Sequence, residues 1–340
     1  MSRTVPDHRT HRTRSRTLSV VLTGALIGGV GAATYAFVAP QDSSPVAQRG
    51  VEKDRKAEPV AFSTAGPGDC VTWTSQGDVA TGFETVDCAA PHRFEVSTHE
   101  DLARYPTSEF GENSTPPDLD RQEQLTAELC TGPTMDYLQG RLDPQGRYTI
   151  APILPPAAAW AKGDRTMLCG VMSPDADGAA QETTGRVAGS DQSRAAAPDT
   201  CQRATGDTVS DVPCDQPHSW QVTSVVNLGE NFPDAWPSID DQNKYLNDLC
   251  TSAAVRYLGG KGDGSDGDDD GLYRSTLTPF WTTLQQESWD AGSRTVNCAL
   301  TKSRPGDAGG GFADLAGDVR SGFTIDGNPP AEQPPRNPKK

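Results

Sequence analysis

The sequence predicts an α+β protein: an N-terminal transmembrane helix, then two tandem disulfide-stapled modules, each a small antiparallel sheet packed with one main helix. Three observations lead there. Eight cysteines fall into two copies of one pattern. An uncharged run of 22 residues, Leu18 to Ala39, stands behind a cluster of arginines. Within each copy, apolar periodicity alternates between a strand-like two and a helix-like four.

The first element is the apolar run. At roughly 1.5 Å per residue it makes a helix of about 33 Å, enough to cross a hydrocarbon core of roughly 30 Å. Residues 1–17 form a basic tail with Arg3, Arg9, Arg12, Arg14 and Arg16 against Asp7, so the tail is expected in the cytoplasm and the rest outside. A cleaved signal peptide is the rival, but its apolar region would be long, and Pro40 is a poor residue after the Phe37-Val38-Ala39 exit. Residues 18–39 are therefore expected to remain as a single-pass anchor. Gly24 and Gly28 form a small-residue stripe through which two such helices could pair as a homodimer. Residues 40–67 read as a polar tether.

Once the five arginines and one aspartate of residues 1–17 are set aside, 25 of the 30 basic and 45 of the 46 acidic side chains lie beyond the span. An exterior balance of −20 excludes nucleic-acid binding through a basic footprint. All eight cysteines also fall there, in a compartment where disulfides persist.

The first copy, residues 68–174, runs Cys70, Cys88-Ala-Ala-Pro-His92-Arg-Phe94-Glu-Val96, Cys130-Thr131, Tyr137-Leu138-Gln-Gly140 and Trp160-Ala-Lys-Gly163-Asp-Arg165-Thr166-Met-Leu-Cys169. The second, residues 200–302, runs Cys201, Cys214-Asp-Gln-Pro-His218-Ser-Trp220-Gln-Val222, Cys250-Thr251, Tyr257-Leu258-Gly-Gly260 and Trp289-Asp-Ala-Gly292-Ser-Arg294-Thr295-Val-Asn-Cys298. Each reads as strand, strand, strand, helix, strand. Phe94/Val96 and Trp220/Val222 alternate with polar residues as half-buried strands do. Tyr245, Leu249, Ala253 and Tyr257 recur at four-residue spacing as one helical face, and both helices stop near glycine. Met167, Cys169 and Val171 share one strand face, as do Val296, Cys298 and Leu300. Residues 175–199 lack bulky apolar groups and read as a flexible linker. Residues 303–340, Gly-rich and then Pro-rich, read as a disordered tail.

Two like modules allow three cysteine pairings each. The first two cysteines are close and flank a hairpin; the third lies on a helix stripe and the fourth on an inward strand face. The expected bonds are Cys70–Cys88, Cys130–Cys169, Cys201–Cys214 and Cys250–Cys298. The loops closed by the first pair of each module would contribute about 3–4 kcal/mol apiece on the chain-entropy model.

Among possible sites, His92 and His218 follow Pro-His turns. Cys88/His92 and Cys214/His218 could supply a ligand pair, but structural zinc sites bring two close pairs and here only one is present. A structural histidine closing the turn is the favoured reading, and binding is the rival. Arg165 and Arg294 follow Trp160 and Trp289, which suits a buried ion pair, stacking on tryptophan, or capture of an external anion. Asp263 to Asp270 opens like a calcium loop at Asp266-x-Asp268-x-Asp270-Gly271. Its twelfth position is Leu277 where glutamate is needed, and the run coincides with a nine-residue surplus in the second copy. A solvated insertion is preferred, with calcium left open. No nucleophile elbow, phosphate loop, dinucleotide fingerprint or zincin motif occurs, so no enzyme, cofactor or metal is expected.

The Cys-x-x-Pro-His-x-aromatic-x-Val, Cys-Thr…Tyr-Leu-x-Gly and Trp-x-x-Gly-x-Arg-Thr-x-x-Cys elements resemble the septum-formation domain family of membrane-anchored proteins in high-GC Gram-positive bacteria, over about residues 68–302. The resemblance implies a single-pass cell-membrane protein with an extracytoplasmic, cysteine-rich part connected with division, and it supplies no catalytic residue. The expected function is non-enzymatic binding of an envelope or division protein, or a cell-wall component. The rival is an extracytoplasmic sensor or solute-binding module, with a pocket between sheet and helix near Trp160/Arg165 or Trp289/Arg294.

Overall fold

A computed structural model describes residues 64–335, apart from 77–78, 106–107, 176, 207 and 305–310. The expected anchor at 18–39, with Gly24 and Gly28, lies outside the described residues. Among those described, no helix is long and apolar enough to cross a membrane.

Module one contains β1 (Cys70–Gln76), β2 (Val79–Val86), β3 (Phe94–Asp101), α1 (Leu119–Leu125), α2 (Thr131–Tyr137), β4 (Thr149–Ile153), α3 (Ala157–Trp160) and β5 (Thr166–Met172). Module two repeats the plan with β6 (Cys201–Thr205), β7 (Thr208–Val212), β8 (Trp220–Asn227), α4 (Leu228–Asn231), α5 (Ile239–Tyr257), α6 (Asp270–Ser275), β9 (Thr278–Trp281), α7 (Gln286–Asp290) and β10 (Thr295–Thr301). A hairpin of β11 (Leu315–Asp318) and β12 (Gly322–Ile325) follows. The two five-stranded sheets have the same order, β2-β1-β3-β5-β4 and β7-β6-β8-β10-β9, and every pairing is antiparallel. The α+β architecture and both antiparallel sheets are as expected.

Strands β4 and β9 were not expected. Each carries a proline, Pro152 or Pro279, which weakens a strand pattern. Both strands lie at a sheet edge, where a missing N–H costs no ladder bond.

The main helices differ for a local reason. Asp118 caps α1 by accepting from Arg121 N–H, and Ser238 caps α5 by accepting from Asp241 N–H. In module two the helix then runs unbroken for 19 residues. In module one Pro133 stands where module two has Ala253. A mid-helix proline removes one N–H and crowds the carbonyl four residues back. The helix accommodates it through a five-residue π segment, Thr126–Cys130, after which Thr131 N–H reaches Thr126 O.

The four disulfides join Cys70–Cys88, Cys130–Cys169, Cys201–Cys214 and Cys250–Cys298, as the sequence reading expected. The second bond of each module ties helix to sheet. Cys130 and Cys169 sit in a cluster with Leu102, Leu125, Trp160 and Met167. Cys250 and Cys298 sit with Leu228, Leu246, Trp289 and Val296.

Two expectations are corrected. Residues 175–199 are not a free linker, because they pack on both modules. Buried Gln192 accepts from Asp143 N–H at 2.9 Å and donates to Arg141 O at 2.8 Å and Ala291 O at 3.3 Å. Ser293 Oγ donates to the buried Asp143 carboxylate at 2.6 Å, joining the modules directly. Asn297 exchanges two side-chain bonds with the main chain of Ala196. Low apolar content signalled flexibility, yet paired amides and carboxylates hold this connector. The tail is likewise not all disordered. Leu315 and Val319 of the hairpin are buried with Ala254, Leu277 and Leu300.

Leu315→Ala should therefore lower the stability of module two by about 2–4 kcal/mol, the range for truncating a buried leucine. Chemical denaturation followed by tryptophan fluorescence measures this, and an unchanged midpoint would show the hairpin undocked.

Candidate functional site

One set of residues shared by the two copies gathers at the Pro-His turn. His92 exchanges main-chain bonds with Thr183 at 2.9 and 2.7 Å, and His218 does so with Leu315 at 2.8 and 2.9 Å. Two residues on, Gly185 N–H donates to Cys88 O at 2.7 Å and Gly317 N–H to Cys214 O at 2.6 Å. Both glycines have positive φ, +82° and +101°, which side chains rarely adopt. Two residues further, Val187 N–H donates to Glu95 Oε2 at 2.8 Å and Val319 N–H to Gln221 Oε1 at 2.9 Å. Each module is thus closed by a strap that follows its last cysteine. The sequence reading missed both straps, although Gly185-x-Val187 and Gly317-x-Val319 were there to be matched.

Under the straps the histidines are buried, 1% and 0% exposed. Their Nδ1–H groups face Ala90 O and Gln216 O, each at 2.9 Å. Burial pushes His218 below its ordinary value, against the opposing bond to Gln216.

Each strap is latched by a tyrosine from the helix end. Tyr137 donates to Glu95 Oε1 at 2.6 Å and accepts from Arg186 at 3.2 Å. Burial, then the Glu95 bond, pushes this phenol up to about 12. In module two Tyr257 donates to Asp199 at 2.6 Å and accepts from Gln221 Nε2 at 3.0 Å. Burial, then Asp199, raises this phenol as well. Glu95 and Tyr137 were not among the expected site residues; a carboxylate between Phe94 and Val96 on a strand was their available signal.

The Trp-Arg elements also turn inward. Arg165 is 4% exposed and donates to the carbonyls of Phe110, Gly111, Trp160 and Asp164. Its guanidinium lies 4.2 Å from the Trp160 ring centroid. Arg294 stacks on Trp289 at 3.9 Å and donates to Trp289 O and Ser293 O. Burial lowers the Arg294 guanidinium, with Asp191 and Asp290 opposing. Trp160, Trp289 and Arg165 are buried, and Arg294 is half-buried. Clefts of about 620 and 340 Å³ lie beside α6 and the hairpin and beside Tyr257.

In the acidic insertion, Asp268 turns onto its own loop and accepts from the amides of Lys261, Asp263 and Gly264. Burial would raise this carboxyl, but the amide donors outweigh it and hold it low. Among the described residues, no group of three or more His, Cys, Asp or Glu side chains is placed to hold a metal ion.

The architecture defines a class: tandem copies of a five-stranded α+β module, each with two disulfides and a C-terminal strap. The sequence model of a family described as septum formation matches residues 67–298, and the chain belongs to that family. It is similar to two uncharacterized membrane proteins of Mycobacterium tuberculosis, one from strain CDC 1551 / Oshkosh and one from strain ATCC 25618 / H37Rv. Each is 33% identical over 338 residues, covering 96% of this chain and 71% of the relative. No solved structure matches the chain.

The latch yields a paired prediction. Glu95→Ala orphans Val187 N–H, removes the acceptor of the Tyr137 hydroxyl proton and should cost about 2–3 kcal/mol. Glu95→Gln, the module-two residue, keeps an acceptor for Val187 and should cost less than half as much. Equal losses in denaturation midpoints would contradict this role.

Proposed function

We propose that the protein is a non-enzymatic, membrane-anchored extracytoplasmic protein that acts in septum formation by binding an envelope partner through its two modules. Family membership supports the connection with division. Membrane attachment is supported by the relatives' description as membrane proteins and by the uncharged run at 18–39 behind its arginines.

One observation carries the binding role. His92 and His218 through Nδ1, Arg165 and Arg294, and Tyr137 and Tyr257, polar residues common to both copies, make main-chain and latch contacts. A general acid, base or nucleophile must instead reach a substrate. Recognition then falls to surfaces on which the modules differ. Their joint at Asp143, Gln192 and Ser293 presents those surfaces in one arrangement, which favours bivalent capture.

A fluorescent fusion of the full chain should gather at division septa in growing cells, and its depletion should lengthen cells. Proximity labelling from the exterior should enrich other division proteins. Uniform distribution around the envelope with unaltered cell length would overturn the proposal.

A further inference from the structure

Module two carries one helix with no counterpart in module one. Between its main helix and its fourth strand lies α6, entered through the acidic run Asp263 to Asp270. Asp269, Leu272, Tyr273 and Leu277 line one side of a hollow of about 620 Å³, with Lys302 from just beyond β10 and Ile325 from the hairpin. Another wall is the chain's own C-terminal segment, through Pro329, Ala331 and Gln333. Thr276, which also borders the hollow, ends α6 at φ +59°. A β-branched residue adopts that conformation only at a cost, and such strain clusters at binding sites. Lys302 Nζ is held on the Thr276 carbonyl at 2.8 Å.

The C-terminal segment shows what this hollow receives. Residues 329–335 read Pro-Pro-Ala-Glu-Gln-Pro-Pro. Proline fixes φ and has no N–H, so such a segment is held extended, with carbonyls that no ladder uses. Tyr273 Oη donates to one of them, Pro334 O, at 3.1 Å. Pro329, Ala331, Glu332, Pro334 and Pro335 are exposed, so the segment lies along the surface and fills no core. Small Ala331 leaves the hollow beside it open. The sequence beyond Pro335 is basic, with Arg336, Lys339 and Lys340, whereas residues 261–275 hold five aspartates against Lys261 and Arg274, a balance of −3. Arg274 pairs with Asp270 at 3.4 Å, and Asp268 turns onto its own loop amides.

We propose that this hollow is a groove for a proline-rich segment with a basic end, borne by a partner protein, and that the chain's own tail holds its edge in cis. Tyr273 supplies the donor for a proline carbonyl, Leu272, Leu277 and Ile325 the apolar floor, and the aspartate loop the attraction for the basic end. Aromatic-lined grooves read such segments because a chain already extended loses little entropy on docking. A partner segment with a bulkier side chain in place of Ala331 fills the hollow and displaces the tail. A second copy would present the same small side chain, so exchange of tails between copies gains no contact. The inference rests on the reading of the protein as the binder of an envelope partner, and it names what that partner presents.

Fluorescence polarisation in neutral detergent tests it with two labelled peptides, residues 329–340 and the same peptide with Ala331→Leu. Each is titrated with the full chain and with the chain lacking residues 329–340. The Ala331→Leu peptide should bind the full chain saturably and severalfold more tightly than the unaltered one. Both should bind the shortened chain at least fivefold more tightly, because the competitor in cis is gone. Tyr273→Ala in the shortened chain should weaken binding at least tenfold; if that variant fails to melt cooperatively, Tyr273→Phe replaces it with a severalfold loss expected. Absence of saturation with the shortened chain, equal affinity with and without the tail, or unchanged binding in the folded Tyr273 variant would overturn the groove. If the peptides fail while the fluorescent fusion still gathers at septa, the groove falls and the division role stands. A concentration-dependent dimer of the full chain that the 329–340 peptide dissolves would assign the groove to a second copy and overturn the partner.

Discussion

Closure of each module rests on a short main-chain ladder between its Pro-His turn and a strap from beyond its last cysteine. Without that ladder the turn at His92 or His218 would face water, and the buried acceptor at Glu95 or Gln221 would lose its amide donor. The latching tyrosine would hold nothing in place. The disulfides cannot substitute for it. They tie strand to turn and helix to sheet inside the cysteine frame, whereas the straps lie outside that frame. A module of about 100 residues has a small core, so a segment that buries Val187, or Leu315 and Val319, and pairs three amides is a large share of its stability.

Duplication separates what the fold needs from what each copy has made its own. The stacked Trp-Arg pair, the latching tyrosine, a β-bulge in the third strand and both disulfides recur in place. The residues around them vary. Glu95 is ionisable and Gln221 is not; Pro133 breaks a helix that Ala253 leaves whole; Thr134 meets the Ser97 hydroxyl at 2.7 Å, and Ala254 stands in its place. The straps differ in consequence as well. The first lies in the same connector that carries Gln192, whose side chain bonds to both modules.

Much of this was legible in the sequence, and the failures have physical causes. Cysteine spacing and the strand and helix patterns around Phe94, Trp220 and Tyr257 revealed the duplication, the antiparallel sheets and all four disulfides. His92 turns inward onto a main-chain carbonyl, and Arg165 stacks on Trp160, one of the three readings open for it. The straps escaped because main-chain pairing leaves almost no side-chain signature. Gly-x-Val is too short to stand out, and its distance from the last cysteine differs by three residues between copies. The connector escaped because polar side chains that order a chain by hydrogen bonding look, as composition, like those of a solvated one. Gly111-Glu112-Asn113 and Gly229-Glu230-Asn231 are a further repeat that the eight-residue surplus of module one, ahead of Gly111, obscured. The hollow beside Tyr273 could not be read from sequence because it depends on how the C-terminal segment folds back onto α6.

Hydrogen exchange at individual amides tests the central claim most directly. If the straps close the modules, Thr183, Gly185 and Val187, and likewise Leu315, Gly317 and Val319, should be protected by a factor of at least about 10³, approaching that of the central strands β3 and β8. Exchange at those six amides close to the rate of an unstructured peptide, with β3 and β8 still protected, would contradict it.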